Sequence, residues 1–185
     1  MSSVRNRYEV GSVIGLIVDV QDRLIRHIHD NQNLIRRTEL LLRGLTILGI
    51  PHLFTEQYPK GLGRTHPALS DRLHDTQKIE KMEFSCMAND RFRHALEATG
   101  RQSLIIAGIE AHVCVQQTAL DALRDGYFVT VIADTIGSRS PTDREIALEH
   151  MRCEGVRVST VESVLFELCG VAGTDPFKQL SRLLK

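Results

Sequence analysis

Apolar residues in this chain follow two rhythms that take turns along its length. Short runs rich in Val, Ile and Leu, at Val13 to Val20, Pro51 to Thr55, Ser103 to Ala107, Tyr127 to Ala133 and Val156 to Val158, alternate too little for a sheet with one wet face. They read as strands buried on both sides. The longer segments between them carry apolar residues at helical spacing. In Asn31 to Leu48, residues Leu34, Leu41, Leu45 and Leu48 recur at intervals of three, four and seven, and Gly49 stops the helix. A short third strand is expected near Gln77 to Glu80, with helices at Asn89 to Thr99 and Cys114 to Arg124 closed by Gly100 and Gly126. Ser140-Pro141-Thr142-Asp143 supplies a capping hydroxyl, a proline for the first helical position and an acid in the first turn, and predicts a helix running to about Cys153. Ser159-Thr160-Val161-Glu162 has the form of a capping box, and a last amphipathic helix covers Asp175 to Leu184.

This alternation predicts an α/β fold: one domain over residues 1–185, built as three α/β/α layers around a six-stranded, mostly parallel, doubly wound sheet. No repeat, low-complexity tract or Pro/Gly-rich linker marks a second domain. Ligands of such sheets bind beyond the carboxyl ends of the strands, so the residues that follow each strand carry the search. Tyr58 to Pro67, rich in Pro, Gly and His, is a long connection of the kind that borders sites.

Charge removes several partners. Lys+Arg and Asp+Glu both number 23, so no basic surplus draws the chain onto nucleic acid or an anionic membrane. The longest wholly apolar stretches are short, such as Val13 to Val18, and the N-terminus lacks a signal layout, which predicts a cytoplasmic protein without membrane contact. At 42% hydrophobic residues the chain can build its core without disulfides, and Cys86, Cys114, Cys153 and Cys169 form no CxxC pair. Free thiols are expected.

Three strand ends carry reactive groups. Asp19 is the only charge between Val13 and Val20; a carboxylate there needs a chemical task or a set of hydrogen-bonding partners. Lys81 follows the third strand at the end facing the crevice, whereas Lys78 sits at its beginning, and a solvated lysine is the plain alternative. Cys114 comes after Gly108-Ile109-Glu110-Ala111-His112-Val113, at the expected start of a helix. The helix dipole there is expected to draw its pKa from about 8.5 toward neutrality, and the free N–H groups to suit an oxyanion. Cys86, Cys153 and Cys169 read as small buried hydrophobes.

Leu16-Ile17-Val18-Asp19-Val20-Gln21, Lys81-Met82-Glu83-Phe84-Ser85 and Gly108-Ile109-Glu110-Ala111-His112-Val113-Cys114-Val115-Gln116-Gln117-Thr118-Ala119 resemble, in order and spacing, the isochorismatase-like cysteine hydrolases over nearly the whole chain. The last of these segments, with Thr55-Glu56-Gln57-Tyr58-Pro59-Lys60-Gly61-Leu62-Gly63, is most similar to the isochorismatase domain-containing and YcaC-like branch. The resemblance implies a triad of Asp19, Lys81 and Cys114 acting on a small-molecule amide or related acyl substrate through a thioester. It also implies a cis peptide at Ile109-Glu110 that turns the amides of Glu110 and Cys114 toward the oxyanion, and a homo-oligomer. No cofactor is implied. The Asp-x-His pair by which nicotinamidases of this superfamily hold a metal is missing, and His52 and His66 lack the matching carboxylate spacing, so no metal is expected. Isochorismatases that cleave a vinyl ether lack the cysteine, which favours C–N or acyl hydrolysis here.

Gln21, Glu56, Phe84, His112 and Arg139 are candidates to line the pocket, Arg139 either as a bidentate clamp for a substrate carboxylate or as an exposed ion pair. A catalytically silent scaffold of the same fold is the competing reading. A His112–Cys114 dyad is disfavoured, because side chains two residues apart across a turn diverge.

Overall fold

The computed structural model describes residues 8–70 and 78–185. In chain order its elements are β1 (Val13–Val18), α1 (Asp22–Ile25), α2 (Asn31–Ile47), β2 (His52–Gln57), α3 (Pro59–Leu62), α4 (Pro67–Ser70), β3 (Lys78–Lys81), α5 (Asp90–Glu97), β4 (Ser103–Ile109), α6 (Gln116–Arg124), β5 (Phe128–Gly137), α7 (Pro141–Cys153), β6 (Arg157–Ser159), α8 (Val161–Cys169) and α9 (Asp175–Leu183). Among the described residues, six strands pair in the order β3-β2-β1-β4-β5-β6, every pair parallel. The chain winds outward in one direction from β1 to β3, then returns to β4 and winds the other way. The switch point lies between β1 and β4.

Both faces of the sheet are covered, which is why the strand runs lack polar alternation. Ile14, Leu16 and Val18 of β1 enter one core with Phe92 and Leu96 of α5, Ala119 and Ala122 of α6, and Ala147 and Met151 of α7. Val13 and Ile17 enter the other with Leu34, Leu41 and Leu45 of α2, Val161 and Leu165 of α8 and Leu180 of α9. Each fully buried Val, Leu or Ile contributes about 1.5–3 kcal/mol. Both cores also anchor the strand ends that carry the chemistry.

The element boundaries depart from the sequence pattern in instructive places. β1 stops at Val18, because Asp19 adopts a left-handed backbone (φ 52°). β5 runs past Ala133 to Gly137: its ladder with β4 jumps from Ile106↔Val131 to Gly108↔Ile136, so an irregularity, invisible to a periodicity count, lets the strand resume. Tyr58 to Pro67 is less irregular than its composition suggests, since α3 and the start of α4 fall there. Gln77 of the expected third strand lies outside the described residues, and the strand begins at Lys78. Ser140 caps α7 by accepting from the Asp143 amide, with Pro141 at the first helical position, as the motif predicts. For α8 the cap is Thr160, one residue after Ser159, because β6 holds Ser159.

Candidate functional site

The left-handed turn at Asp19, which Asp adopts more readily than most residues, delivers its carboxylate under the end of β2. There Thr55 donates its hydroxyl to Oδ1 at 2.7 Å and Lys81 its ammonium to Oδ2 at 2.6 Å. Both members of this ion pair are fully buried in their side chains. Lys81 stands on β3, two strands from β1, a span of about 9–10 Å that a long aliphatic stem crosses. Its other two protons go to the carbonyls of Glu83 and Phe84 at 3.0 and 3.1 Å. All three donors are satisfied, and β3 supplies the cation from its crevice end. Burial, the largest influence, works against the ammonium, but Asp19 together with Cys86 and Cys114 outweighs it and holds the Lys81 pKa above its ordinary value.

Across the switch point, β4 ends in a cis Ile109–Glu110 peptide and passes into a single π-turn, Ala111–Val115, before α6 begins at Gln116. The amides of Val113 and Val115 both donate to the Glu110 carbonyl, at 3.1 and 3.2 Å. Such turns insert one residue beyond helical register and recur at functional sites. Cys114 rides in this turn, only 3% exposed, with its sulfur turned to the Asp19–Lys81 pair. The sequence predicts a thiol acidified by a helix terminus; the structure reverses that. Burial, then the facing negative charge of Asp19, raise the Cys114 pKa, with Lys81 opposing only in part. The sulfur therefore rests as a protonated thiol beside a carboxylate that can receive its proton.

The remaining sequence candidates separate into supports and rim. The Gln21 amide is wholly engaged in tying β1 to β2: Nε2 donates to the carbonyls of Gln57 and Gly63 at 2.9 and 2.6 Å, and Oε1 accepts from the Gln57 amide at 2.8 Å. Glu56, also buried, accepts from the amide and hydroxyl of Thr65, both at 2.7 Å, and from Arg64 at 2.9 Å. Burial would raise its pKa, but these donors prevail and lower it. It holds the Tyr58–Pro67 connection to β2. Arg139 gives its backbone and Nε protons to Glu110, so the exposed-ion-pair reading describes it and that edge of its guanidinium is occupied. His112 pairs with Ser138 at 2.9 Å. Phe84 is 53% exposed and stands at the rim.

Three neighbours of the site escaped the sequence reading. Thr55 and Gln57 occupy alternate positions at the carboxyl end of β2; Thr55 braces Asp19, and Gln57 Oε1 accepts from the Cys114 thiol at 3.4 Å. The strand-end rule that selected Lys81 also covers both. Cys86, read as an inert hydrophobe, is fully buried but contacts Thr55 Oγ1 at 3.8 Å, and burial pushes its pKa up to about 11. Cys153, expected buried, is exposed, and Cys169 is half-buried. Among the described residues no cluster of three or more His, Cys, Asp or Glu is arranged to hold a metal, and no helix is long and apolar enough to cross a membrane.

A parallel, doubly wound sheet that brings a thiol and a buried carboxylate–ammonium pair together at its switch point defines an α/β protein with an enzyme-like site. A model of the isochorismatase domain matches residues 14–163. Isochorismatase family protein 1B of Dictyostelium discoideum is 36% identical over 173 residues, which cover 91% of this chain and 84% of that one. Among solved structures, the MAR1 ribonuclease of Caenorhabditis elegans is 35% identical with a TM-score of 0.90, covering 96% of this chain and 92% of that one. Two YcaC proteins are 26% identical. That of Escherichia coli, described as an octameric hydrolase of unknown specificity, has a TM-score of 0.93 and covers 99% of this chain and 91% of its own. That of Pseudomonas aeruginosa, which carries a covalent acrylamide, has a TM-score of 0.90 and covers 97% and 92%. The chain belongs to the isochorismatase family, and by that membership it is a hydrolase of the isochorismatase-like fold.

Proposed function

We propose that the protein is a cysteine-dependent hydrolase of a small amide or related acyl substrate, with Cys114 as nucleophile, Asp19 as general base and Lys81 as the cation paired with Asp19. The observation that carries this reading is the Cys114 thiol facing a buried carboxylate whose two oxygens are held in place by Thr55 and Lys81. In the first half-reaction the thiol proton passes to Asp19 as sulfur adds to the carbonyl carbon, and the carbonyl electron pair moves to oxygen, toward the amides of Glu110 and Cys114. Collapse of that adduct expels the amine, which takes the proton from Asp19 and leaves a thioester. Asp19 then removes a proton from water as its oxygen attacks the thioester, and the acid departs as the thiol is restored. Covalent acrylamide in the similar YcaC protein supports a nucleophile open to a small carboxamide on this fold.

A second copy of the chain is proposed to complete the site. Cavities of about 320–350 Å³ lie elsewhere, lined for instance by Tyr8, Tyr127 and Arg157 at the amino ends of the strands, or by Asp30, Asp134 and Arg144. Near Lys81 in the chain stand the exposed side chains of Met82 and Phe84, with Tyr58 bonded through its backbone to the Lys81 carbonyl. Apolar side chains of that size at a site mouth suit coverage by a second copy of the chain, and the octameric state described for one YcaC supports a homo-oligomer. The burial of Cys114 also favours one competing reading, a silent scaffold. Purified protein and its Cys114→Ala variant, compared on a panel of small amides and esters with an RNA substrate alongside, decide between them. Amide turnover that disappears in the variant supports the hydrolase. No turnover across the panel supports the scaffold, and RNA cleavage that survives the substitution rejects the thiol mechanism.

A further inference from the structure

A thiol has one proton, and at Cys114 two acceptors compete for it. One is Asp19, close enough to hydrogen-bond the sulfur; the other is Gln57 Oε1 at 3.4 Å. The Gln57 amide is anchored at its far edge, where Nε2 donates to the Met82 carbonyl at 3.2 Å. That contact also fixes which end of the amide meets the sulfur, because a flipped amide would set oxygen against oxygen at Met82. The backbone of Gln57 cannot yield, since both its N–H and its carbonyl are taken by the buried Gln21 amide, and it is in register with Lys81 in the ladder. The half-buried side chain is the part free to move.

We propose that Gln57 is a positioning residue that latches the active-site thiol, its side-chain amide bridging Met82 and Cys114 so that the sulfur is covered and its proton is directed to Gln57 instead of Asp19 until a substrate displaces it. This rests on the reading of Cys114 as the nucleophile. The latch is weak by construction. An amide-to-thiol contact at this distance and one exposed hydrogen bond to a carbonyl together amount to little more than one net hydrogen bond, so an arriving carboxamide can replace them with its own. When the Gln57 side chain swings out, the Met82 carbonyl is left as an acceptor and the thiol proton turns to Asp19.

The measurement is the rate at which iodoacetamide alkylates Cys114 in the intact protein, followed by peptide mass spectrometry, with exposed Cys153 as the internal reference. Gln57→Ala removes the latch. Gln57→Met removes it at nearly constant volume, which separates lost hydrogen bonding from an opened hole. Gln57→Glu keeps the acceptor but opposes the Met82 carbonyl with a second oxygen. The expected result is Cys114 alkylation faster by about tenfold, the size of one lost net hydrogen bond, in Gln57→Met as well as Gln57→Ala, an intermediate gain in Gln57→Glu, and an unchanged rate at Cys153. A rate at Cys114 within twofold of the parent in Gln57→Met overturns the latch. This readout does not require turnover, so it is independent of the hydrolase reading, which fails separately if Cys114→Ala still hydrolyses the substrate.

Discussion

Gly108 lies directly beside Val18 in the parallel ladder, and a Cβ added to it would stand 2.1 Å from the Val18 carbonyl oxygen. Its backbone is also in a region (φ 133°) open essentially to glycine. This contact lets the ends of β1 and β4 approach closely enough for Asp19 and Cys114 to face each other. Gly108→Ala is therefore expected to destabilise the protein by more than about 3 kcal/mol, combining backbone strain with a clash against main chain that cannot rotate away. Urea denaturation checks this. A loss below about 1 kcal/mol would mean the two strands can part without penalty.

Removing the cation from the buried pair leaves a charge without compensation. Lys81→Met should lower stability by about 3–5 kcal/mol, the range for breaking a buried ion pair from one side. Asp19→Asn added to it should restore part of that loss while leaving the enzyme inactive. Paired denaturation curves for the single and double variants test the coupling; simple additivity would contradict it.

Thr55 holds the other Asp19 oxygen from the adjacent strand. Thr55→Val keeps the β-branched shape and deletes one hydrogen bond to a charged group, so a loss of about 1.5–3 kcal/mol is expected. Activity should fall as well, because Asp19 loses the brace that aims it, and kcat should drop more than KM rises. Steady-state kinetics on any substrate found in the amide panel separate the two.

The acidity of Cys114 sets a pH dependence with a definite sign. Its pKa is raised above its ordinary value by burial and by Asp19, so in alkaline solution the folded chain keeps a proton that the unfolded chain has released. The contribution to stability is complete below the unfolded value and disappears as pH rises through the folded one. Alkylation of Cys114 should accordingly keep climbing with pH through 9.0 instead of reaching a plateau near neutrality. A plateau below pH 8 would mean that a preformed thiolate is the resting species.

Much of this fold was legible because its sheet is covered on both faces, which turns strands into unbroken apolar runs such as that of β1. The same logic marked Asp19 and Lys81 at strand ends and Cys114 at the helix start after β4 as candidates, and the resemblance to the isochorismatase-like hydrolases joined them into a triad. Side-chain direction was not legible. Gln21 and Glu56 occupy similar strand-end positions, yet they turn to neighbouring backbone and bind β1, β2 and the Tyr58–Pro67 connection together; from sequence, a polar residue at a strand end looks the same whether it braces or reacts. The thiol acidity was misjudged for a related reason. Position at a helix start is local, whereas the burial of Cys114 and the charge it faces arise from β1 and β3, distant in the chain.

If sulfur at Cys114 becomes covalently acylated and Asp19 serves both halves of the reaction, the acyl group can be caught on the protein. The most direct measurement is intact-protein and peptide mass spectrometry on rapidly quenched samples of the parent and of Asp19→Asn, each given an excess of an activated acyl substrate such as a small aryl ester, whose leaving group departs without help from an acid. An added acyl mass is expected on the Cys114 peptide, transient in the parent, slower to form but persistent once formed in Asp19→Asn, and none in Cys114→Ala. Turnover without any adduct on Cys114, or an acyl group found on another residue, would contradict it.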